Sequence, residues 1–267
     1  MEKDKGKVAI VTGSATGVGA ATALQLADRG WNVVINYSRS KAEAEDTAAA
    51  VAAKGVESLL VQADVGQDAD CRKLVDHAVK RWGRLDAVVN NAGTTTFQPA
   101  GDLDAVNAED FERINRINVV GPYQMSRAAF PVMKRQWEEL GERASVVNIS
   151  SVAGVMGIGS SIPYLCSKGA LNTMTLALAR WLAPAVRVNT VCPGFIQSRW
   201  LLNGMGEEAY EKSKRHQETQ MPLQQAGTTD QMAEAAVFFT TSASNITGEF
   251  LVVDAGMHLG HAPLRAR

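Results

Sequence analysis

Tyr164 and Lys168, in Pro163-Tyr164-Leu165-Cys166-Ser167-Lys168, are the pair of side chains whose types and interval could do chemistry together. Pro163, with its fixed φ and missing N–H, suits the first turn of a helix. On that helix a spacing of four stacks both side chains on one face. A free tyrosine titrates near pH ~10 and a free lysine near ~10.4. An ammonium beside the phenol favours the phenolate. At ~4 Å and an effective dielectric of ~20 the attraction is at most about 4 kcal/mol, or about 3 pK units. The pairing is therefore expected to draw the phenol toward neutrality, where general acid–base work is most effective. Ser151, one loop upstream, is placed to hydrogen-bond the oxygen that gains or loses the proton. By itself Tyr-x-x-x-Lys recurs by chance in most long chains and reads first as a solvated helix pair. The rest of the chain has to decide.

A second constellation lies near the start. Lys7-Val8-Ala9-Ile10-Val11-Thr12 is a short β-branched run of the kind buried in a parallel sheet. It runs into Gly13-Ser14-Ala15-Thr16-Gly17-Val18-Gly19, then an alanine-rich helix from Ala20 to Arg29 stopped by Gly30. Strand, glycine loop and helix start together make an anion site: glycines admit close approach, and the helix N-terminus offers free N–H groups and a positive dipole end. The spacing is Gly-x-x-x-Gly-x-Gly and not Gly-x-Gly-x-x-Gly.

The elements that must position these residues alternate regularly. Strands are predicted over Trp31 to Tyr37, Glu57 to Ala63, Leu85 to Val89, Ala144 to Ile149, Val186 to Val191 and Gly248 to Val253. Helices fall between them, over Lys41 to Lys54, Asp68 to Trp82, Asn107 to about Arg135, Tyr164 to Leu182 and Asp230 to Thr240. This alternation is the signature of βαβ units and a doubly wound α/β fold with a seven-stranded parallel sheet, helices on both faces. One domain is expected over residues 1–267. Ligands in such sheets bind beyond the carboxyl ends of the strands, so the loops to watch are 13–19, 37–40, 64–66, 90–96, 150–163 and 192–228. Asn118, mid-helix, competes for backbone groups there and marks either a local irregularity or a solvated side chain.

Composition excludes several classes. Hydrophobic residues make up 46% and charged residues 21%, which is ordinary globular material. Lys+Arg 27 against Asp+Glu 28 leaves a formal net charge of −1, with no excess to steer the chain to nucleic acid or an anionic membrane. Cys71, Cys166 and Cys192 cannot pair completely and lack metal-ligand spacing, as do the scattered His77, His216, His258 and His261. No metal is expected. The charged start leads straight into a strand, so no signal peptide or membrane span is expected, and the location implied is cytoplasmic.

With Thr-Gly-x-x-x-Gly-x-Gly, Asn90-Asn91-Ala92-Gly93, Ser151, Tyr-x-x-x-Lys and Pro193-Gly194 in this order, the chain resembles the short-chain dehydrogenase/reductases, Rossmann-type enzymes, from about Lys7 to Met257. The resemblance implies hydride transfer between a nicotinamide cofactor and a small ketone or alcohol. Tyr164 would exchange the proton, Lys168 hold the ribose, Ser151 polarise the carbonyl and Asn118 anchor a water. It assigns the pyrophosphate to Gly13, Ser14, Thr16, Gly17, Val18 and Gly19, and the adenine to Asp64 and Val65. Asn91, with Ala92 and Gly93, falls to the adenosine side, and Ile196 to the carboxamide beside Pro193, Gly194 and Ser198. Ser198 stands where threonine is usual, and no basic residue stands near Thr16. Tyr37-Ser38-Arg39 ends the second strand without an acid and with one guanidinium, so NADP(H) is favoured over NAD(H). The segment 197–227 resembles a substrate lid. The family also implies a homotetramer. A carrier-protein ketoacyl reductase, an NAD-dependent sugar or alcohol dehydrogenase and a non-catalytic cofactor sensor are the alternatives. The uncharged turn Ala183-Pro184-Ala185-Val186 counts against the first of these.

Overall fold

A computed structural model describes residues 5–260; residues 1–4 and 261–267, including His261 and the last of the tail, lie outside the described residues. Seven parallel strands form one sheet in the order β3-β2-β1-β4-β5-β6-β7. The strands are β1 (Val8–Val11), β2 (Asn32–Tyr37), β3 (Ser58–Gln62), β4 (Ala87–Asn90), β5 (Ala144–Ile149), β6 (Val186–Pro193) and β7 (Phe250–Val253). Every residue of β1, β4, β5 and β6 is buried, which is why these runs are mostly apolar or β-branched and not alternating; the polar exceptions are themselves hydrogen-bonded, as Asn148 Nδ2 is to Thr175 Oγ1 and Arg187 to the Phe239 carbonyl.

The pleat sends alternate side chains to two cores. Val8 and Ile10 face the core closed by α3 (Asp68–Trp82), α5 (Gly121–Leu140) and α7 (Ile162–Trp181). Ala9 and Val11 face the core closed by α1 (Gly17–Ala27), α2 (Lys41–Ala52) and α10 (Thr229–Thr241). Burying each large aliphatic side chain there contributes about 1.5–3 kcal/mol relative to exposure. The order reverses direction between β1 and β4, and the crevice above that switch point is where an open α/β sheet receives ligands.

The predicted helix from Asn107 to about Arg135 is not continuous. It consists of α4 (Ala108–Asn115), a π-helical turn over Arg116–Val120, and α5. Asn118 lies in that turn and is buried, so the irregularity it signalled is present and the solvated alternative is not. β6 runs two residues beyond the predicted end at Val191, to Pro193. The lid region is helical, as α8 (Arg199–Met205) and α9 (Glu207–Gln220), and the short α6 (Ala153–Met156) precedes α7.

Candidate active site

Helix α7 carries Tyr164 and Lys168 inward, and both are buried. Its N-terminus follows Ser161 in extended conformation, with Pro163 in the first turn as its ring geometry favours. Helix α6 presses its Gly154 against α7 so closely that a Cβ there would lie 2.5 Å from the Lys168 carbonyl carbon. Lys168 Nζ donates to the Ile149 carbonyl at 2.8 Å and sits 5.5 Å from the centre of the Tyr164 ring. Ser151 stands just past the end of β5, its hydroxyl accepting from the Ala153 N–H at 3.1 Å and donating to the Pro193 carbonyl at 3.5 Å, on the side of the cleft that Tyr164 also lines.

The electrostatics differ from the sequence expectation. Burial pushes the Tyr164 phenol up to about 12, with the Ser151 hydroxyl pulling the other way. Burial also pushes the Lys168 ammonium down to about 8. Lys168 therefore does not bring the phenol to neutrality by itself. Both groups have left water, and the loss of solvation outweighs a pairing in which Nζ faces the ring and is bound to a carbonyl. At neutral pH the phenol keeps its proton, the form a general acid requires.

Asn118 uses its whole side chain. Its amide donates to the Thr94 carbonyl at 2.9 Å and to Ser167 Oγ at 3.0 Å, and its oxygen accepts from the Thr94 N–H at 2.8 Å. It ties the β4 loop to α7 two residues before Thr96. Both amide hydrogens are thus engaged, and a water at this side chain can only donate to the second lone pair of its oxygen.

The glycine loop fits a phosphate. Thr16 caps α1 without a side-chain bond to it, and the first turn of α1 holds no acid, so its N–H groups remain available to an anion. Gly17, at φ +64, leaves open space where a Cβ would stand. Gly13, at φ +62, lies so near β4's loop that a Cβ would come 2.9 Å from Ala92 Cα. Thr12 Oγ1 accepts from the N–H groups of Asn91 and Ala92, each at 3.0 Å, and Asn91 donates to the Gly13 carbonyl at 3.0 Å. The residues present therefore match a pyrophosphate-bearing nucleotide.

A cleft of about 2220 Å³ joins this cradle to Tyr164. It is lined by Gly13, Thr16, Gly17, Val18, Ser38, Arg39, Asp64, Val65, Asn91, Ala92, Gly93, Ser151, Tyr164, Lys168, Pro193, Gly194, Ile196 and Ser198. Three expected cofactor contacts are not brought to its wall. Tyr37 turns into the core with Val33, Ile35 and Ala44, because a residue one place along a strand faces the opposite side. Ser14 is fully buried, its hydroxyl donating to the Val11 carbonyl and accepting from the Asn36 N–H. Gly19 serves packing, since a Cβ there would meet Asn91 Nδ2 at 2.5 Å.

Sequence reasoning missed Asn36, which lines the cleft. Its Oδ1 accepts from the Gly13 N–H at 3.0 Å and its Nδ2 donates to the Ala63 carbonyl at 3.0 Å, fixing the glycine loop against β3. An amide ending the apolar run Val33-Val34-Ile35 was the available signal. Also unforeseen was Arg113, which donates to Thr94 Oγ1, Thr96 Oγ1 and Asp110 Oδ1. Ser198 lines the cleft and also caps α8, its hydroxyl accepting from the Leu201 N–H at 3.3 Å.

A seven-stranded parallel sheet with a nucleotide cradle at its switch point and a Ser–Tyr–Lys group beside it defines a dinucleotide-binding oxidoreductase class. A family model described as "Enoyl-(Acyl carrier protein) reductase" matches residues 13–258. The "Granaticin polyketide synthase putative ketoacyl reductase 2" of Streptomyces violaceoruber is 42% identical over 94% of this chain and 96% of its own length. The 3-oxoacyl-(acyl-carrier-protein) reductase FabG of Staphylococcus aureus is 33% identical over 95% of this chain and 98% of its own. The crystal structure of "a putative short-chain dehydrogenase/reductase from Burkholderia xenovorans" superposes with a TM-score of 0.86 at 42% identity, covering 95% of this chain and 98% of that one. The chain belongs to the short-chain dehydrogenase/reductase family and is an oxidoreductase.

Proposed function

We propose that the protein transfers hydride between NADP(H) and a carbonyl or alcohol substrate, with Tyr164 as the general acid and base. The observation that carries this reading is that Ser151, Tyr164 and buried Lys168 line the same cleft as the glycine cradle, with Lys168 Nζ 5.5 Å from the centre of the Tyr164 ring. The nicotinamide supplies the hydride when bound. This chain's residues do the rest. Gly13, Thr16, Gly17 and Val18 hold the phosphates, and Asp64 and Val65 border the adenine. Ser151 orients the carbonyl oxygen, Tyr164 gives it a proton in reduction and takes one in oxidation, and Lys168 orients the ribose. Ser38 and Arg39 line the cleft with no acid between them, and Glu43 in the first turn of α2 is engaged by Arg199 at 3.7 Å. That arrangement supports a 2′-phosphate over a free hydroxyl.

A second reading, a ketoacyl thioester as the carbonyl substrate, is favoured by the names of the two ketoacyl reductases this chain resembles. Both readings use the same proton transfer. The uncharged turn Ala183-Pro184-Ala185-Val186 argues against a docked acidic carrier, so we place a free carbonyl compound first. No helix among the described residues is long and apolar enough to cross a membrane. A homotetramer in the cytoplasm completes the proposal.

The test is Tyr164→Phe, assayed for turnover of NADPH with a ketone panel and for NADPH binding by fluorescence. Turnover should fall by about 10²–10⁴-fold, the worth of a general acid, with cofactor affinity within about threefold of the wild type. A loss in kcat below about tenfold would remove Tyr164 from the proton transfer.

A further inference from the structure

The cleft, at about 2220 Å³, is larger than the ~300–1,000 Å³ usual for one small ligand, so it has room for a second molecule beside a dinucleotide. At the Tyr164 end two aromatic side chains from opposite walls meet. Phe97 comes from the loop after β4. That loop is stitched on both flanks: Thr95 Oγ1 and Ser160 Oγ lie 2.6 Å apart, the Gln98 N–H donates to the Ser160 carbonyl at 2.8 Å, and the Ile162 N–H donates to Gln98 Oε1 at 3.1 Å. Trp200 comes from α8 of the lid. Its ring centre is 6.1 Å from that of Phe97, tilted by 63°, and 6.1 Å from that of Tyr164, tilted by 54°. Gly204, one turn along α8, leaves the Phe97 ring its place; a Cβ there would fall 1.8 Å from a ring carbon.

The wall is thus aromatic on a rigid side and a lid side, and it leans on the ring whose hydroxyl meets the carbonyl. Trp200 lines the cleft and is 46% exposed, so part of its ring is uncovered there. Edge-to-face and offset geometries stabilise one aromatic ring against another beyond the area they bury. A saturated ring of the same size gains the burial and lacks that term.

We propose that the Phe97–Trp200 wall is a specificity determinant that selects ketones bearing a planar aromatic group next to the carbonyl; this rests on the carbonyl-reducing function proposed above. Each aromatic contact discriminates by about 2- to 12-fold. The preference for an aryl ketone over its saturated counterpart should therefore be about tenfold.

Acetophenone and 1-cyclohexylethanone make the matched pair, measured with the full chain and NADPH, with their dissociation constants followed in parallel by ligand-observed NMR. Wild type should favour acetophenone about tenfold in kcat/KM. Trp200→Leu should bring the ratio below about threefold, Trp200→Phe should keep most of it, and Gly204→Ala, by displacing Phe97, should lower it. Equal rates on the two ketones in the wild type, or a preference that survives Trp200→Leu, would overturn the wall and leave the reductase reading standing. If neither ketone turns over but the NMR preference is present and is lost in Trp200→Leu, the wall stands and the reductase reading falls. Absence of both turnover and preferential binding removes both.

Discussion

Lys168 is a cation held almost out of contact with water, with its pKa lowered from 10.5 to about 8 by burial. Its sign as a stability contribution follows directly. Between pH 8 and 10.5 the unfolded chain binds the proton and the folded chain does not, so stability rises with pH across that window. Below pH 8 the native state carries the full burden, on the order of 3 kcal/mol. Urea unfolding at pH 8 and pH 10 should therefore show Lys168→Met losing part of the upward slope that the wild type has. Identical slopes would mean that Lys168 is not buried as a cation. Arg39 belongs to the same scale. If it meets a 2′-phosphate, NADPH should be preferred over NADH by about tenfold or more in kcat/KM. Arg39→Ala should remove most of that preference while leaving the NADH kinetics alone. Equal weakening of both cofactors would make Arg39 a surface residue. The second-strand residue to exchange is not Tyr37, because a carboxylate there would enter the core.

At the scale of elements, three short contacts hold the site. The π-helical turn gives Asn118 its grip on Thr94 and Ser167, Gly154 lets α6 seat against α7, and Gly13 lets β1's loop touch β4's. Gly13→Ala combines a positive φ with a 2.9 Å approach to Ala92 Cα, so strain arises from both the backbone and the neighbour. It should destabilise the fold by about 1–3 kcal/mol and weaken NADPH binding at least tenfold. Calorimetry and fluorescence titration read the two effects separately. Unchanged affinity would show that the loop does not hold the phosphates.

At the scale of the molecule, the outer surfaces carry apolar side chains that a monomer leaves wet. Trp181 at the end of α7 is 77% exposed, and Phe238 on α10 and Leu176 on α7 are also exposed. Val120 and Tyr123, where the π turn enters α5, are exposed as well. Exposed side chains of this size gain from burial between copies, which is the physical ground for testing the tetramer proposed above. Light scattering should give four times the 28.5 kDa chain mass, and Trp181→Glu should shift the distribution to smaller species. A monomer at micromolar concentration would end that expectation.

The sequence by itself determined the seven strands and their parallel arrangement, and it pointed to the cradle and to Ser151, Tyr164 and Lys168 as the residues to test. Buried β-branched runs, glycine spacing and an i,i+4 pair are local signals, readable wherever backbone chemistry dominates. Tertiary structure decided what no local pattern encodes. Burial reversed the expected shift of Tyr164, because desolvation depends on everything packed around the phenol. Strand pleat turned Tyr37 into the core and set Asn36 under Gly13. The meeting of Phe97 with Trp200 joins positions over a hundred residues apart, and only the folded chain brings those rings to 6.1 Å.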